Sequence, residues 1–279
     1  MTCFNRRAKT LACLRSLREA TPARELEVEV FLVDDGSTDG TREAAAACFP
    51  AARVLQGGNL FWTRGIHLAF STAMRERHDF YLWLNDDCVL HADALARLLR
   101  TYHELVSRVG AAVIVVGSVC DATNGRVSYG GLCRPVWWKR TRVEVVVPGG
   151  KPIECDTMNG NCVLIPQAVA ERVGNLDPTF EHAMGDLDYG LRARALGVRI
   201  IVAPGFVGTC SRNPIQETFE DTALPLVRRW RLINARKGLP ARSWLHYTRR
   251  HAGPLWLVFF FWPYVRVVLS SVAHGRVIR

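Results

Sequence analysis

The sequence predicts an α/β protein with a mostly parallel sheet flanked by helices and a basic helical segment at its carboxyl end. Three observations support this class. Short apolar strands alternate with amphipathic helical stretches, polar clusters follow at least two of the strands, and the charge balance changes near residue 222. Such alternation buries a parallel sheet between helices, and open sheets of this kind bind ligands at the carboxyl ends of their strands.

The individual elements follow from hydrophobic periodicity. In order, it predicts a helix around residues 11–17, a strand over 28–33, a helix around 66–74, a strand over 80–84, a helix around 95–102 and a strand over 112–116. Paired glycines and prolines between 127 and 147 indicate hairpins. The chain then predicts a strand over 162–165, a helix over 187–196 that stops at Gly197, and a strand over 198–202.

The amino terminus lies close to the first predicted loop. Only Thr2-Cys3-Phe4-Asn5 precedes the first helix, which leaves too few residues for the strand that normally leads into such a loop. We therefore expect the first strand of the sheet to be truncated or missing.

Charge divides the chain into two parts. Residues 222–279 contain eleven Lys or Arg and no Asp or Glu, whereas the first 221 residues carry 25 basic and 26 acidic side chains. A nearly neutral body excludes the basic surface expected of a nucleic-acid-binding protein. This change predicts an α/β domain over 1–215 and a basic, aromatic helical tail over 216–279.

The tail also predicts attachment to an anionic membrane surface. Its longest apolar run, 255–265, has eleven residues, whereas a spanning helix needs about 20. An interfacial segment fits this pattern, with a buried core helix as the alternative. The amino terminus shows no apolar signal-peptide region, and nine cysteines without a CxxC pair fit a reducing cytosol. We expect a cytoplasmic protein, peripheral on the inner face of the cell membrane.

The first cluster with chemical potential is the stretch 34–41, which follows a predicted strand. Carboxylates at a strand end accept hydrogen bonds from nucleobase N–H groups and ribose hydroxyls, which favours a nucleoside-binding role for Asp34 and Asp35. Asp39 and Thr41 fit an ordinary capped turn before a helix.

The second cluster is Asn85-Asp86-Asp87, after the strand over 80–84. Adjacent carboxylates repel each other, and a bound cation is a natural reason to place them together. Mg²⁺ and Mn²⁺ bind through one or two carboxylates plus phosphate oxygens. The segment therefore predicts a divalent metal site, with a solvated turn as the alternative.

A third cluster surrounds Asp186, at the start of a predicted helix. The positive end of the helix stabilises a carboxylate there, which suits a general base as well as a simple cap. Asp188 and Arg192 are four residues apart and predict an ion pair within this helix. His182, one turn before Asp186, is a weaker candidate for the same site.

A Gly-rich stretch over 56–65 leads into a helix. Backbone amides at such a junction can meet a phosphate group. Asn59 and Arg64 are candidate contacts to a nucleotide diphosphate in this stretch, and Arg64 as an ordinary surface residue is the alternative.

Taken together and in order, these segments resemble glycosyltransferase family 2, which has the GT-A fold, and in particular its rhamnosyltransferases. The likeness covers residues 2 to about 213. Each motif alone is common, but the ordered set is specific. The matching stretches are Thr2-Cys3-Phe4-Asn5-Arg6, 31–41, Leu82-Trp83-Leu84-Asn85-Asp86-Asp87, Met158-Asn159-Gly160-Asn161-Cys162 and 185–192.

The resemblance implies an inverting, metal-dependent enzyme that takes a sugar from a nucleotide-diphosphate donor. Negative charge develops on the departing diphosphate, which a divalent cation stabilises, and a single in-line displacement needs one carboxylate base. The implied roles are nucleoside binding by Thr2, Asn5, Asp34 and Asp35, ribose or sugar contact by Asp86, Mn²⁺ or Mg²⁺ binding by Asp87, a sugar pocket lined by Asn161, and proton abstraction by Asp186.

Two departures from the family pattern concern the metal. Asn85 stands where the family motif usually begins with Asp, and the region 208–212 lacks the histidine that often completes the site. Metal coordination is therefore expected to rest on Asp87, phosphates and water.

The resemblance also suggests the partners. A UDP- or dTDP-sugar donor, a glycan or lipid-linked acceptor and a role in cell-envelope polysaccharide synthesis are expected, with rhamnose as a guess for the sugar. Two alternatives remain: a non-catalytic sugar-nucleotide-binding protein and a nucleotidyltransferase of similar fold. A Rossmann dehydrogenase ranks lower, since no GxGxxG follows a first strand.

Overall fold

Strands and helices alternate along the first part of the chain. The computed structural model describes residues 1–21, 26–109 and 112–273. The first elements are β1 (Thr2–Cys3), α1 (Arg7–Glu19), β2 (Val30–Asp34), α2 (Thr41–Cys48), β3 (Ala52–Gln56), α3 (Phe61–Met74), β4 (Phe80–Leu84), β5 (Val89–Leu90), α4 (Ala94–Val109) and β6 (Val113–Cys120). The predicted alternation is therefore present.

Short strands dominate the middle of the chain, and helices dominate its end. The order continues with β7 (Val127–Tyr129), β8 (Gly131–Cys133), β9 (Glu144–Val145), β10 (Ile153–Cys155), β11 (Thr157–Met158), β12 (Cys162–Pro166), α5 (Gln167–Val173), α6 (Gly185–Ala195), β13 (Arg199–Thr209), α7 (Leu226–Asn234), α8 (Ala241–His251) and α9 (Trp256–Ala273). Gly197 follows α6 with φ +78°, as expected of a helix stop.

Among the described residues the strands form a parallel sheet β1–β2–β3, a mixed central sheet in the order β10–β13–β6–β12–β4, and a small antiparallel sheet β11–β8–β9. Strands β1, β2 and β3 pair in parallel, and so do β6 and β13. Strand β12 runs antiparallel to both of its neighbours, β4 and β6. The chain reaches β12 from a three-stranded antiparallel unit, β11–β8–β9, without a crossover helix, and parallel pairing needs such a crossover.

The first strand is present but contains only two residues. Thr2 and Cys3 pair in parallel with Val33 and Asp34 of β2, so a first strand is present. An apolar cleft of about 550 Å³ lies between β2 and β4 and is lined by, among others, Phe31 and Tyr81. The site carboxylates of β2, β4 and α6 do not line this cleft.

The core lies on both faces of the central sheet. In β6, Val113 and Val115 pack into one cluster with α1 and α4, whereas Ile114 and Val116 pack into a second cluster with α3 and α6. Successive strand residues point to opposite faces, so burial of both faces requires a continuous apolar run. This explains why β6 has no polar alternation.

The three carboxyl-terminal helices share a third cluster with the segment around α6. Side chains of α7, α8 and α9 pack there against Phe180, Met184 and Leu191. The boundary near residue 215 remains a prediction. Residues 210–225, between β13 and α7, form neither a helix nor a strand. Residues 274–279 of the predicted tail lie outside the described residues.

The last helix is longer than the apolar run suggested. Together with a 3₁₀ turn, Gly253–Leu255, it continues to Ala273, and by length and composition these 21 residues are apolar enough to cross a membrane. Only 17% of the tested window is buried. The alternative of a buried core helix is therefore wrong. The apolar segment is also longer than the predicted eleven residues, because the helix continues beyond Arg266.

Candidate active site

Polar side chains converge at the carboxyl ends of β1, β2, β4 and β13. Asp34 ends β2, Asp86 and Asp87 follow β4, and Cys210 follows β13. The fourth contributor is Asp186, the second residue of α6. The fold therefore brings together residues that are far apart in the sequence. They lie at the strand ends where open α/β sheets bind ligands.

The loop after β1 is tied by hydrogen bonds to the loop after β2. The side-chain oxygen of Asn5 accepts a hydrogen bond from Thr38 N at 2.8 Å, and Asn5 N donates to Ser37 Oγ at 3.0 Å. Buried Asp34 accepts from Ser37 N at 3.1 Å. Thr2 lies buried beneath α3. These residues are brought together as predicted, and their contact with a nucleoside stays a prediction.

Asp35 holds the Gly-rich stretch in place. Its carboxylate accepts hydrogen bonds from three backbone N–H groups, those of Gly58, Leu60 and Phe61, at 3.0, 2.7 and 2.8 Å. A Cβ atom at Gly57 would lie 2.7 Å from Asp35 Oδ1, so this position needs glycine. Asp35 thus fixes the entry to α3, a role that its sequence neighbours did not reveal.

An arginine from the first loop bridges the two carboxylates after β4. Arg6 Nη1 lies 3.3 Å from Asp86 Oδ1 and 2.9 Å from Asp87 Oδ2. Burial, with a smaller contribution from the charge of Asp87, raises the pKa of Asp86 to about 6 against the opposing charge of Arg6. Thr10 also donates to Asp86, at 3.2 Å. Apart from its place in the first motif, nothing in the sequence indicated this role of Arg6.

The other oxygen of Asp87 faces a cysteine. Cys210 Sγ donates to Asp87 Oδ1 at 3.4 Å, and Cys88 Sγ lies in the same cluster. The buried amide of Asn161 faces both sulfur atoms, at 3.7 Å from Cys210 and 3.9 Å from Cys88. The side-chain amide of Asn161 therefore lies against these two sulfur atoms, and its predicted place in a sugar pocket stays a prediction.

Asp186 lies in the first turn of α6, and its carboxyl group has a raised pKa. Its carboxylate accepts hydrogen bonds from the backbone N–H groups of Gly160 and Leu187, both at 2.9 Å. Burial nevertheless raises the pKa of Asp186 above its usual range, since desolvation outweighs these two bonds. A carboxylate of this kind is a better proton acceptor than a solvated one.

Trp62 connects the two carboxylate clusters. Its indole Nε1 donates to Asn85 Oδ1 at 2.6 Å, beside Asp86. A Cβ atom at Gly160 would lie 2.3 Å from the Trp62 ring, so the ring lies directly on the backbone whose amide holds Asp186. Trp62 lies within the Gly-rich stretch, but no spacing in the sequence linked it to Asn85 or Gly160.

Other candidates of that stretch lie differently than predicted. Arg64 Nε donates to Pro178 O at 3.0 Å, and Nη2 lies 3.3 Å from Glu181, which supports the surface alternative over a diphosphate contact. Asn59 is exposed and accepts a hydrogen bond from Arg236 at its carbonyl oxygen.

His182 is half-buried and packs against Phe61, with ring centroids 5.9 Å apart. Burial, aided by the charges of Lys237 and Arg6, lowers the pKa of His182 to about 4. The imidazole is therefore neutral near pH 7.

Asp188 has a structural role that goes beyond the predicted ion pair. Its fully buried carboxylate lies 2.8 Å from Arg192 Nε, as expected, and 2.8 Å from both Arg250 Nη1 and His251 Nε2 of α8. Burial alone would raise the pKa of Asp188, but these partners hold it below its usual range. This residue fastens the carboxyl-terminal helices to α6.

The family follows from this architecture together with a sequence comparison. The model for "Glycosyl transferase family 2" matches residues 1–160, which is more than half of the chain. The chain belongs to glycosyl transferase family 2. The matched region contains Asn5, Asp34, Asp87 and Gly160 and ends before Asp186.

Curated relatives of this family-2 chain are rhamnosyltransferases. The "N-acetylglucosaminyl-diphospho-decaprenol L-rhamnosyltransferase" of Mycobacterium tuberculosis, in strains CDC 1551 / Oshkosh and ATCC 25618 / H37Rv, is 26% identical over 213 residues. The alignment covers 68% of this chain and 68% of each relative.

Solved structures share the GT-A fold at lower identity. The mannosyltransferase PcManGT from Pyrobaculum calidifontis, in complex with GDP-Man and Mn²⁺, has a TM-score of 0.56 at 15% identity, covering 98% of this chain and 71% of its own. GalNAc-T7 with UDP, GalNAc and Mn²⁺ gives 0.56 at 14%, covering 76% and 42%. S. aureus TarS gives 0.52 at 15%, covering 89% and 41%. The chain thus spans less than half the length of the last two.

Proposed function

We propose that this family-2 glycosyltransferase transfers a sugar from a nucleotide-diphosphate donor to an acceptor hydroxyl, with inversion at the anomeric carbon and with a divalent cation. One observation carries the proposal. Trp62 joins the paired carboxylates after β4 to Asp186, through its hydrogen bond to Asn85 and its contact with Gly160. Trp62 thus lies between an acidic cluster, Asp86 and Asp87, and a separate candidate base, Asp186.

Each of these three carboxylates has a chemical task in the proposal. Asp87 would hold the Mn²⁺ or Mg²⁺, and Asp86 would contact the ribose or sugar. The cation, when bound, neutralises charge on the departing diphosphate. Asp186, with its raised pKa, takes the proton of the acceptor hydroxyl as that oxygen attacks. Because one displacement suffices, no covalent sugar–protein bond is required.

The donor and acceptor are proposed from the relatives. The mycobacterial proteins are named as rhamnosyltransferases that act on a lipid-linked diphospho-sugar. We infer that this chain transfers a deoxyhexose such as rhamnose, from a UDP- or dTDP-sugar, to a glycan or lipid-linked acceptor of cell-envelope polysaccharide synthesis.

Attachment to the inner face of the cell membrane is part of this proposal. Helix α9 packs lengthwise on the protein, through Tyr264 OH to Leu239 O and Trp244 Nε1 to Phe260 O. Its opposite face is apolar and exposed from Leu257 to Val272. A helix bound along its length to a folded domain is suited to lie in the membrane surface rather than to cross it.

Charge contributes less to this attachment than the sequence suggested. Several tail arginines pair with acidic residues of the first 221: Arg228 with Glu217, Arg236 with Glu181, Arg250 with Asp177 and Arg266 with Glu220. The exposed apolar face is therefore the main support. Trp137, which is 83% exposed, is a second exposed apolar side chain. It lies in the same loop as Arg140, whose side chain is close to Gly253.

The first test is a donor panel. The protein is incubated with UDP-, dTDP- and GDP-sugars, Mn²⁺ or Mg²⁺, and a polyprenyl-diphosphate sugar acceptor, with and without EDTA. We expect metal-dependent release of one nucleoside diphosphate, and a product whose anomeric configuration is opposite to that of the donor. Asp87→Ala and Asp186→Asn should both reduce this release.

The opposite result would support the binding-protein alternative. Nucleotide binding without turnover for any donor would mean that the chain is a sugar-nucleotide-binding protein, for which the Arg6 contact to Asp86 and Asp87 is the supporting observation. Synthesis of a sugar nucleotide from a nucleoside triphosphate would indicate the nucleotidyltransferase.

A further inference from the structure

Sulfur lies where the proposed metal would bind. The ligand atoms of Asp87, Cys88 and Cys210 all lie within 4.8 Å of one another. Cys210 follows β13, and β13 pairs with β5 through Thr209 and Val89, which brings the cysteine next to Asp87. The position of Cys210 is thus set by the sheet rather than by a loop.

We propose that Asp87, Cys88 and Cys210 form a mixed carboxylate–thiolate site that selects a softer divalent metal such as Co²⁺ or Zn²⁺ over Mg²⁺. This inference rests on the proposed metal-dependent transfer and specifies its cation. Each thiol gives its proton to solvent as its sulfur coordinates the metal.

The geometry matches shared coordination. Metal–sulfur and metal–carboxylate bonds of about 2.3 and 2.1 Å place tetrahedral ligands about 3.6 Å apart. The observed distance from Cys210 Sγ to Asp87 Oδ1 is 3.4 Å. The cluster therefore needs only a small adjustment to bind a cation.

The surroundings also suit sulfur coordination. The buried Asn161 amide faces both sulfur atoms, and a hydrogen-bond donor there would stabilise the thiolates of a metal complex. Arg6 lies on Asp87 Oδ2, the oxygen on the other side of the carboxylate, and its charge partly balances three anionic ligands.

The chemistry of the donor set decides the metal. Mg²⁺ demands oxygen ligands in an octahedron, whereas thiolates select softer transition metals. Mg²⁺ is therefore a poor competitor for a site with two sulfur ligands.

The test uses Co²⁺ as a probe, with the reduced full chain in oxygen-free buffer. We expect a near-ultraviolet thiolate-to-cobalt charge-transfer band in the wild type. The band should weaken in Cys88→Ser and in Cys210→Ser and vanish in the double variant. Cys133→Ser is the matched control, because its sulfur lies near Glu154 O on β10 and should not affect the band.

The outcomes separate this inference from the proposed function. Co²⁺ binding without a charge-transfer band, or a band that survives the double variant, would overturn the thiolate site even if transfer proceeds with Mg²⁺. A band without any sugar transfer would support the site and contradict the function.

A second measurement needs no variant. X-ray absorption at the zinc edge of the wild type should show sulfur at about 2.3 Å from Zn²⁺. A first shell of oxygen and nitrogen alone would overturn the proposal.

Discussion

At the scale of single residues, Asp186 combines burial with two backbone hydrogen bonds. We expect Asp186→Asn to lower kcat by about 10²–10⁴-fold, the usual contribution of a general base, with donor affinity nearly unchanged. Because burial raises the pKa of Asp186, the acid limb of the wild-type rate profile should lie above the range of an ordinary aspartate. Steady-state transfer from pH 4 to 9 measures both.

Asp156→Asn provides the matched control. This carboxylate pairs with Arg194 at the partly exposed end of α6, so its loss should leave kcat unchanged. Full activity of Asp186→Asn would place the base on another group.

Asp188 illustrates a residue whose role is stability rather than chemistry. In Asp188→Asn, the positive charges of Arg192 and Arg250 lose their buried partner, and we expect a loss of about 3 kcal/mol in the free energy of unfolding. The exposed Glu154→Gln, which faces Arg199, should cost less than about 1 kcal/mol. Urea unfolding at pH 7 measures this difference.

The same carboxylate predicts a pH dependence. The folded pKa of Asp188 lies below its usual value, so its contribution to stability is present above about pH 4 and is lost as the pH falls through the lowered pKa. The stability gap between wild type and Asp188→Asn should therefore narrow in acid. A gap that stays constant down to pH 2 would contradict the assignment.

Some site residues were predictable from sequence because their neighbours in the chain carry the signal. Asp34, Asp87 and Asp186 each follow a strand or begin a helix, and paired carboxylates are visible in the sequence itself. Arg6 and Cys210 were not, because they lie 81 and 123 positions from Asp87 in the chain. Only the folded sheet brings such residues together.

At the scale of elements, the turn between β11 and β12 meets the start of α3. In Gly160→Ala, the new methyl would collide with Trp62 and disturb its hydrogen bond to Asn85. We expect kcat to fall about 10²-fold, the effect of a displacement of about 1 Å at a catalytic site, while the fold is kept. Transfer rate and tryptophan fluorescence measure the two effects.

Gly150→Ala is the control for this substitution, because nothing lies within 4 Å of a Cβ atom there. Unchanged transfer by Gly160→Ala would mean that Trp62 has no part in positioning Asp186.

Elements with strong periodicity were predictable, and elements held by partners were not. The strand β4 was predicted to the residue, and α3 was recognised from its apolar face. By contrast, β3 is half-buried, α5 has seven residues and β10 has three. Such short segments take their conformation from the neighbour that they pair with or pack against, and their local pattern is too brief to indicate it.

At the scale of the whole molecule, the carboxyl-terminal helices are fastened to one another and to α6. Arg229 of α7 donates to Ser270 and Ser271 of α9, and Asp188 fastens α8 to α6. The exposed face of α9 is thereby held in fixed orientation relative to Asp186. A lipid-linked acceptor would then reach the base from a membrane that contacts this face.

The exposed face of α9 predicts binding to anionic vesicles. Phe261→Ser combined with Leu269→Ser should weaken binding by at least about tenfold, since each immersed Phe or Leu contributes about 1.5–3 kcal/mol and 1.4 kcal/mol is a factor of ten. The control is Val147→Ser with Leu196→Ser, two exposed apolar residues outside α9. Sedimentation with phosphatidylglycerol vesicles measures the bound fraction, and transfer to a soluble acceptor should be unaffected in both variants. Equal binding of both variants would contradict attachment through α9, and a bound fraction released only by detergent would indicate that the helix crosses the bilayer.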